Sequence, residues 1–197
     1  MSSLVVSGDT SGSVTIAAPA IAGTPTLTLP TTSGTILTSA STINAITSGT
    51  AQASTSGTSI DFTGLPSGVK RVTVMFNGVS TNGTSVLQMQ IGAGSVTTSG
   101  YSSIYWFGST GSNVNTSGFQ VTGMAAAYGI SGIATIVNVS GNSWAFSSIT
   151  NLILNTNVGV QAVGTVSLGG TLDRVRITTV NGTDTFDAGS INILYES

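Results

Sequence analysis

The stretch "KRVTVMFNGV" at residues 70–79 alternates in character with a period of two. Successive side chains of a β-strand point to opposite faces. Lys70, Val72, Val74 and Phe76 therefore share one face, and Arg71, Thr73 and Met75 share the other. "DRVRI" at 173–177 repeats the arrangement, with Val175 and Ile177 inward and Arg174 and Arg176 outward. In "INILY" (191–195), Ile191, Ile193 and Tyr195 face one way and Leu194 the other. A strand apolar on both faces lies centrally, covered on both sides, so this last segment is predicted to be structural and essential.

Working outward, "SVLQMQIG" (85–92), "GFQVTG" (118–123), "IATIVNVSG" (133–141) and "SWAFSSI" (143–149) are further short β-rich runs punctuated by Gly, Asn and Ser. Asn-Gly pairs at 77–78, 82–83 and 181–182 favour tight turns, because both residues tolerate positive φ. Helix is scarcely encoded; "SASTINAIT" is short and marginal alone. The reading is all-β, with a jelly-roll-like antiparallel β-sandwich over residues 58–197. Before it, residues 1–38 hold short strands ("LVVSG", "SVTIA", "TLTLP", "GTIL"), and the low-complexity stretch 39–57 reads as a linker. The first block is below the roughly 40 residues at which a domain buries a core unaided, so another chain is expected to complete it.

Composition narrows the function. Only 5% of the 197 residues are charged and the net charge is −2, while Ser (30), Thr (32) and Gly (26) dominate. Hydroxyls and backbone, rather than ions, must hydrate the surface. A mean hydropathy of +0.40 with so little charge predicts that much surface is buried against other chains. With no cysteine and no histidine, disulfides and Ser-His-Asp or Cys-His catalysis are excluded. Four basic residues are far too few for a nucleic-acid footprint. No apolar run approaches the roughly 18 residues that span a bilayer, and no basic segment followed by an apolar run suggests secretory export. Neither nucleic-acid binding nor membrane insertion is expected.

"SGDTSGSVTIAAPAIAGTPTLTLPTTSGTIL" (7–37) resembles a segment common near the start of tail-fibre and other fibre-like proteins of tailed bacteriophages. "SIDFTGLPSGVKRVTVMFNGVSTNGTS" (59–85) and "RVRITTVNGTDTFDAGSINILYE" (174–196) resemble the C-terminal β-domain of similar virion proteins. Only the region from about 93 to 170 lies outside the resemblance. It implies a virion structural protein made in the bacterial cytoplasm: a homotrimeric tail fibre attached to other virion proteins through residues 1–38. Its tip would bind host surface polysaccharide or protein, with a receptor-specific surface falling in 93–170. A capsid decoration protein or head fibre is the alternative, and a polysaccharide depolymerase the third reading.

"GYSSIYWFG" (100–108) gathers four aromatics, and "STGSNVNTSG" (109–118) offers polar groups beside them. Aromatic rings lie against the apolar faces of sugars, so Tyr101, Tyr105, Trp106, Asn113 and Asn115 are the candidate receptor contacts. The competing reading plugs Tyr105 to Phe107 into the core, where aromatics bury the most area. Trp144 alternates with Phe146, which places both in the core. Asp184 and Asp187 form the one close carboxylate pair, read as bonding their own turn, with a calcium site or a catalytic pair as alternatives. Arg71 and Arg174 are expected to pair with Asp61, Asp173 or Glu196; capture of an acidic saccharide is the other reading. No cofactor, metal or catalytic residue is assigned.

Overall fold

A computed structural model describes residues 3–7, 13–17, 23, 31, 46–108, 110–112, 114–123, 125–126, 128–153 and 157–197. The chain divides into two compact units, Met1–Ile43 and Asn44–Ser197. In the first, β1 (Ser3–Ser7) and β2 (Ser13–Ala17) pair antiparallel, from Ser3 opposite Ala17 to Ser7 opposite Ser13. The strands expected at "TLTLP" and "GTIL" lie outside the described residues.

The second unit is a β-sandwich of two antiparallel sheets, and no helix occurs among the described residues. Its first strands are β3 (Ile46–Ser48), β4 (Gln52–Ala53), β5 (Ser59–Thr63), β6 (Arg71–Thr81) and β7 (Leu87–Ala93). Next come β8 (Ser95–Val96), β9 (Ser102–Phe107), β10 (Thr110–Gly111) and β11 (Phe119–Thr122). The long hairpin strands β12 (Gly129–Ser140), β13 (Ser143–Ile153) and β14 (Val158–Ser167) follow, then β15 (Arg174–Thr179) and β16 (Phe186–Glu196). One sheet runs β10-β9-β14-β13-β12-β6-β16-β3, with β4 also on β16; the other runs β11-β7-β15-β5, with β8 on β7.

The alternation read in 70–76 holds: Val72, Val74 and Phe76 are buried, while Arg71 is exposed and Thr73 and Met75 are half-buried. Val175 and Ile177 on β15 point inward in the same way, alternating with Arg174 and Arg176. Beyond Phe76 the phase shifts. Phe76 faces Gly132 and Val79 faces Ile130, so Asn77 and Gly78 together oppose Ser131. The Asn-Gly pair at 77–78 thus makes a bulge inside a strand rather than a turn. Gly78 takes φ +62°, and its N–H donates to the Ser131 Oγ at 2.9 Å. The Asn181-Gly182 pair does form a turn, closed by Gly182 N–H to the Thr179 carbonyl at 3.0 Å.

β16 is bonded on one side to β6 and on the other to β3 and β4. Those two short strands lie within the 39–57 stretch read as a linker. The chain there runs tight against β16: Gly49 donates to the Ile193 carbonyl at 2.8 Å. A Cβ on Gly49 would fall 2.9 Å from Ile193 Cγ1. Residues 46 and 47 of the "SASTINAIT" segment begin β3, and 39–45 lie outside the described residues.

Between the sheets, Leu87, Met89, Ile91, Phe119, Val175 and Ile177 from one side meet Val72, Val74, Ile136, Phe146 and Val160 from the other. Phe119 of β11 stacks on Phe146 of β13, centroids 4.6 Å apart, and meets Tyr101 in a T-shaped pair at 4.9 Å, so one ring ties the two sheets together. Trp144 and Phe146 are both buried, as their alternation predicts.

Candidate functional site

β9 carries three consecutive aromatics, and a strand sends consecutive residues to opposite faces. Tyr105 and Phe107 point to the inner side, Ile104 and Trp106 to the outer. Tyr105, Phe107, Gly111, Ser112, Gly123, Tyr128 and Leu152 line a cleft of about 390 Å³. None of these lining residues is charged.

The cleft wall is held where the chain leaving β10 bonds back to β9. The Tyr105 N–H donates to Ser112 Oγ at 3.0 Å, and the Ser112 N–H donates to the Tyr105 carbonyl at 2.8 Å. Ser112 Oγ in turn donates to Gln120 Oε1 at 2.7 Å, linking the end of β10 to β11. A Cβ on Gly123 would fall 2.9 Å from the Tyr105 hydroxyl oxygen, so the phenol uses the space that this glycine leaves. Phe107 stays 42% exposed, which leaves a ring at the cleft mouth for a ligand to cover. Three rings, two of them with hydroxyls, can take an uncharged group that has an apolar face and hydroxyls at its edge.

The other sequence-predicted contacts do not gather there. Tyr101 is in the core, 2% exposed. Its hydroxyl accepts the Ile91 N–H at 2.8 Å and lies 3.1 Å from the Ile91 carbonyl and 3.0 Å from that of Thr97. Burial pushes its phenol up to about 12, against the Ile91 N–H, which favours the phenolate. Trp106 lies on the outer face, opposite Gly111 on β10. Asn115 is a structural joint: its Nδ2 donates to Gln88 Oε1 and to the Gly118 carbonyl, both at 2.9 Å. Asn113 lies outside the described residues. Tyr128 and Leu152 complete the cleft from distant parts of the chain, and nothing in their local pattern marks them.

The carboxylate side chains among the described residues are engaged elsewhere. Asp61 takes two hydrogen bonds from Arg176, at 2.7 and 2.8 Å, and Asp173 takes two from Arg174, at 2.7 and 3.0 Å. Arg71 pairs with Glu196. The Arg174 guanidinium holds the Asp173 carboxyl below the usual range. Asp184 accepts the Ser85 N–H at 2.9 Å and Asn181 Nδ2 at 2.6 Å, and Asp187 accepts the Ser80 hydroxyl. Among the described residues, no three carboxylates converge.

Compared with protein-family models, curated proteins and solved structures, the chain has no match.

Proposed function

We propose that the protein is a structural component of a bacteriophage virion, a trimeric fibre whose sandwich contacts the host surface and whose residues 1–38 join other virion proteins. The aromatic cleft carries this reading. It falls in the 93–170 region that the fibre resemblance leaves out, and it is built for a neutral ligand such as a sugar ring of a surface polysaccharide. Apolar sugar faces cover Phe107 and Tyr128, and the phenols bond to sugar hydroxyls. No ion has to be stripped of water, so binding needs no charge on the receptor.

A single such contact is weak. Three clefts on one fibre raise the effective affinity about 10²–10⁴-fold where the geometry lets them engage together. Among the described residues, the carboxylates are held by arginines, by the Ser85 N–H and Asn181, or by the Ser80 hydroxyl, which supports a binding role over hydrolysis. The test is adsorption of virions carrying Phe107→Ala or Tyr128→Ala, with glycan binding by the purified variants. Unchanged adsorption and binding with an intact fold would overturn the cleft's role. Labelling of the chain on the head rather than the tail would favour the decoration reading.

A further inference from the structure

The nine-stranded sheet has a second face, turned away from the sandwich core. Register places Met75, Ile133, Ile149, Gln161 and Trp106 in one unbroken row across β6, β12, β13, β14 and β9. The next row is Thr73, Thr135, Ser147, Val163 and Ile104. Ile149 is 65% exposed, Ile133 48% and Val163 45%. These are large aliphatic side chains standing in water in adjacent strands.

Charge is missing from the middle of this face. From Val72 to Leu172 the chain has no Asp, Glu, Lys or Arg. The outer face of the five-stranded sheet is different: Arg174, Arg176 and Asp61 stand there among Gln88, Gln90 and Thr178. One outer face of the sandwich is polar and charged, the other aliphatic and hydroxylated. Contiguous exposed apolar patches of this kind mark protein contacts.

We infer that the outer face of the nine-stranded sheet is where copies of this chain pack on one another. This rests on the multimeric reading above and names the surface that serves it. With strands about 4.8 Å apart and about 3.3 Å of rise per residue, the face from β9 to β16 covers roughly 700 Å². Standard interfaces bury about 600–1,000 Å² per partner, and a face of this size falls within that range. Around a three-fold axis each copy turns this face to the other two, so aliphatic rows meet aliphatic rows with hydroxyls bordering them. At the ends of β16, Glu196 pairs with Arg71 and Asp187 accepts the Ser80 hydroxyl, so the charges stand at the borders of the face.

The experiment uses the full chain. Sedimentation of wild type and Ile149→Asp is compared at micromolar concentration, with circular dichroism to report the fold. The expected result is a wild-type multimer and a folded Ile149→Asp chain that sediments at one-chain mass, 19.6 kDa. The chain lacks cysteine, so Ile149→Cys gives a unique thiol. A short bismaleimide should link copies through it, whereas Thr63→Cys, on the opposite face, should stay unlinked. If Ile149→Asp assembles like wild type, the face is wrong and the multimer reading survives. A monomeric wild type sinks both. Should Ile149→Asp fail to fold, the cross-link decides, and its absence overturns the inference.

Discussion

The Tyr101 hydroxyl brackets the backbone of Ile91, accepting its N–H at 2.8 Å and lying 3.1 Å from its carbonyl oxygen. Ile91 is fully buried on β7, so this phenol satisfies a strand group that water cannot reach. Tyr101→Phe should cost about 1–3 kcal/mol in a urea titration, because the N–H is left unpaired. The alkaline limb follows from the same contact. The unfolded tyrosine loses its proton near pH 10 and the folded one near 12, so the stabilisation is complete below pH 10 and is lost as pH rises through 12. Wild type should lose about 3 kcal/mol over that window through this group. Tyr101→Phe should lack that component; an identical alkaline slope in both proteins would contradict the assignment.

Two glycines cross where the β6 and β16 bulges meet. Gly189 has φ +92°, and a Cβ there would fall 2.5 Å from the Gly78 carbonyl carbon. Gly189→Ala should therefore destabilise by about 3 kcal/mol, from backbone strain plus displacement of β6. Gly182, also at positive φ but with nothing within 4 Å, should cost only about 1 kcal/mol on the same change. Thermal melts of the two variants separate crowding from conformational cost.

Deleting residues 190–197 should abolish folding. It removes Ile191 and Ile193, each worth about 1.5–3 kcal/mol of burial, and leaves β6, β3 and β4 without their shared partner. A chain of residues 44–197, which keeps every strand of both sandwich sheets, should retain its β-sheet circular dichroism. Loss of structure in that fragment would contradict its standing as a separate unit.

Because β9 splits its aromatics between two faces, the cleft reading makes a selective prediction. Phe107→Ala and Tyr128→Ala should weaken glycan binding at least about tenfold, an expectation of about 1.4 kcal/mol per ring. Trp106→Phe, on the opposite face, should leave it unchanged. Equal losses from all three would mean that the cleft is not the contact.

Much of the fold was legible because alternation is strong where one face is buried: Val72, Val74 and Phe76 on β6, or Val175 and Ile177 on β15. The ion pairs of Arg71 and Arg174 were legible as well, since few acids exist for them to meet. The Gly78 bulge was not, because Asn-Gly serves turns and bulges through the same positive φ. Residues 46–53 read as linker because their strands are short and polar, and only the edge of β16 makes them strands. The candidate site was read as one aromatic cluster, yet Tyr105 and Trp106 lie back to back and Tyr101 serves the core. Tyr128 and Leu152 come to the cleft through tertiary packing, which no local spacing encodes.

The charge-free run also sets how the chain meets proteases. Trypsin-like enzymes cut after lysine or arginine, and between Arg71 and Arg174 they find neither. Even a fully opened chain would yield that stretch as one uncut peptide, so its survival in a digest does not depend on the fold. Chymotrypsin-like enzymes, which cut at aromatics, meet Phe107 at the cleft mouth, 42% exposed. Durability toward the two classes should therefore differ sharply, with damage starting at β9.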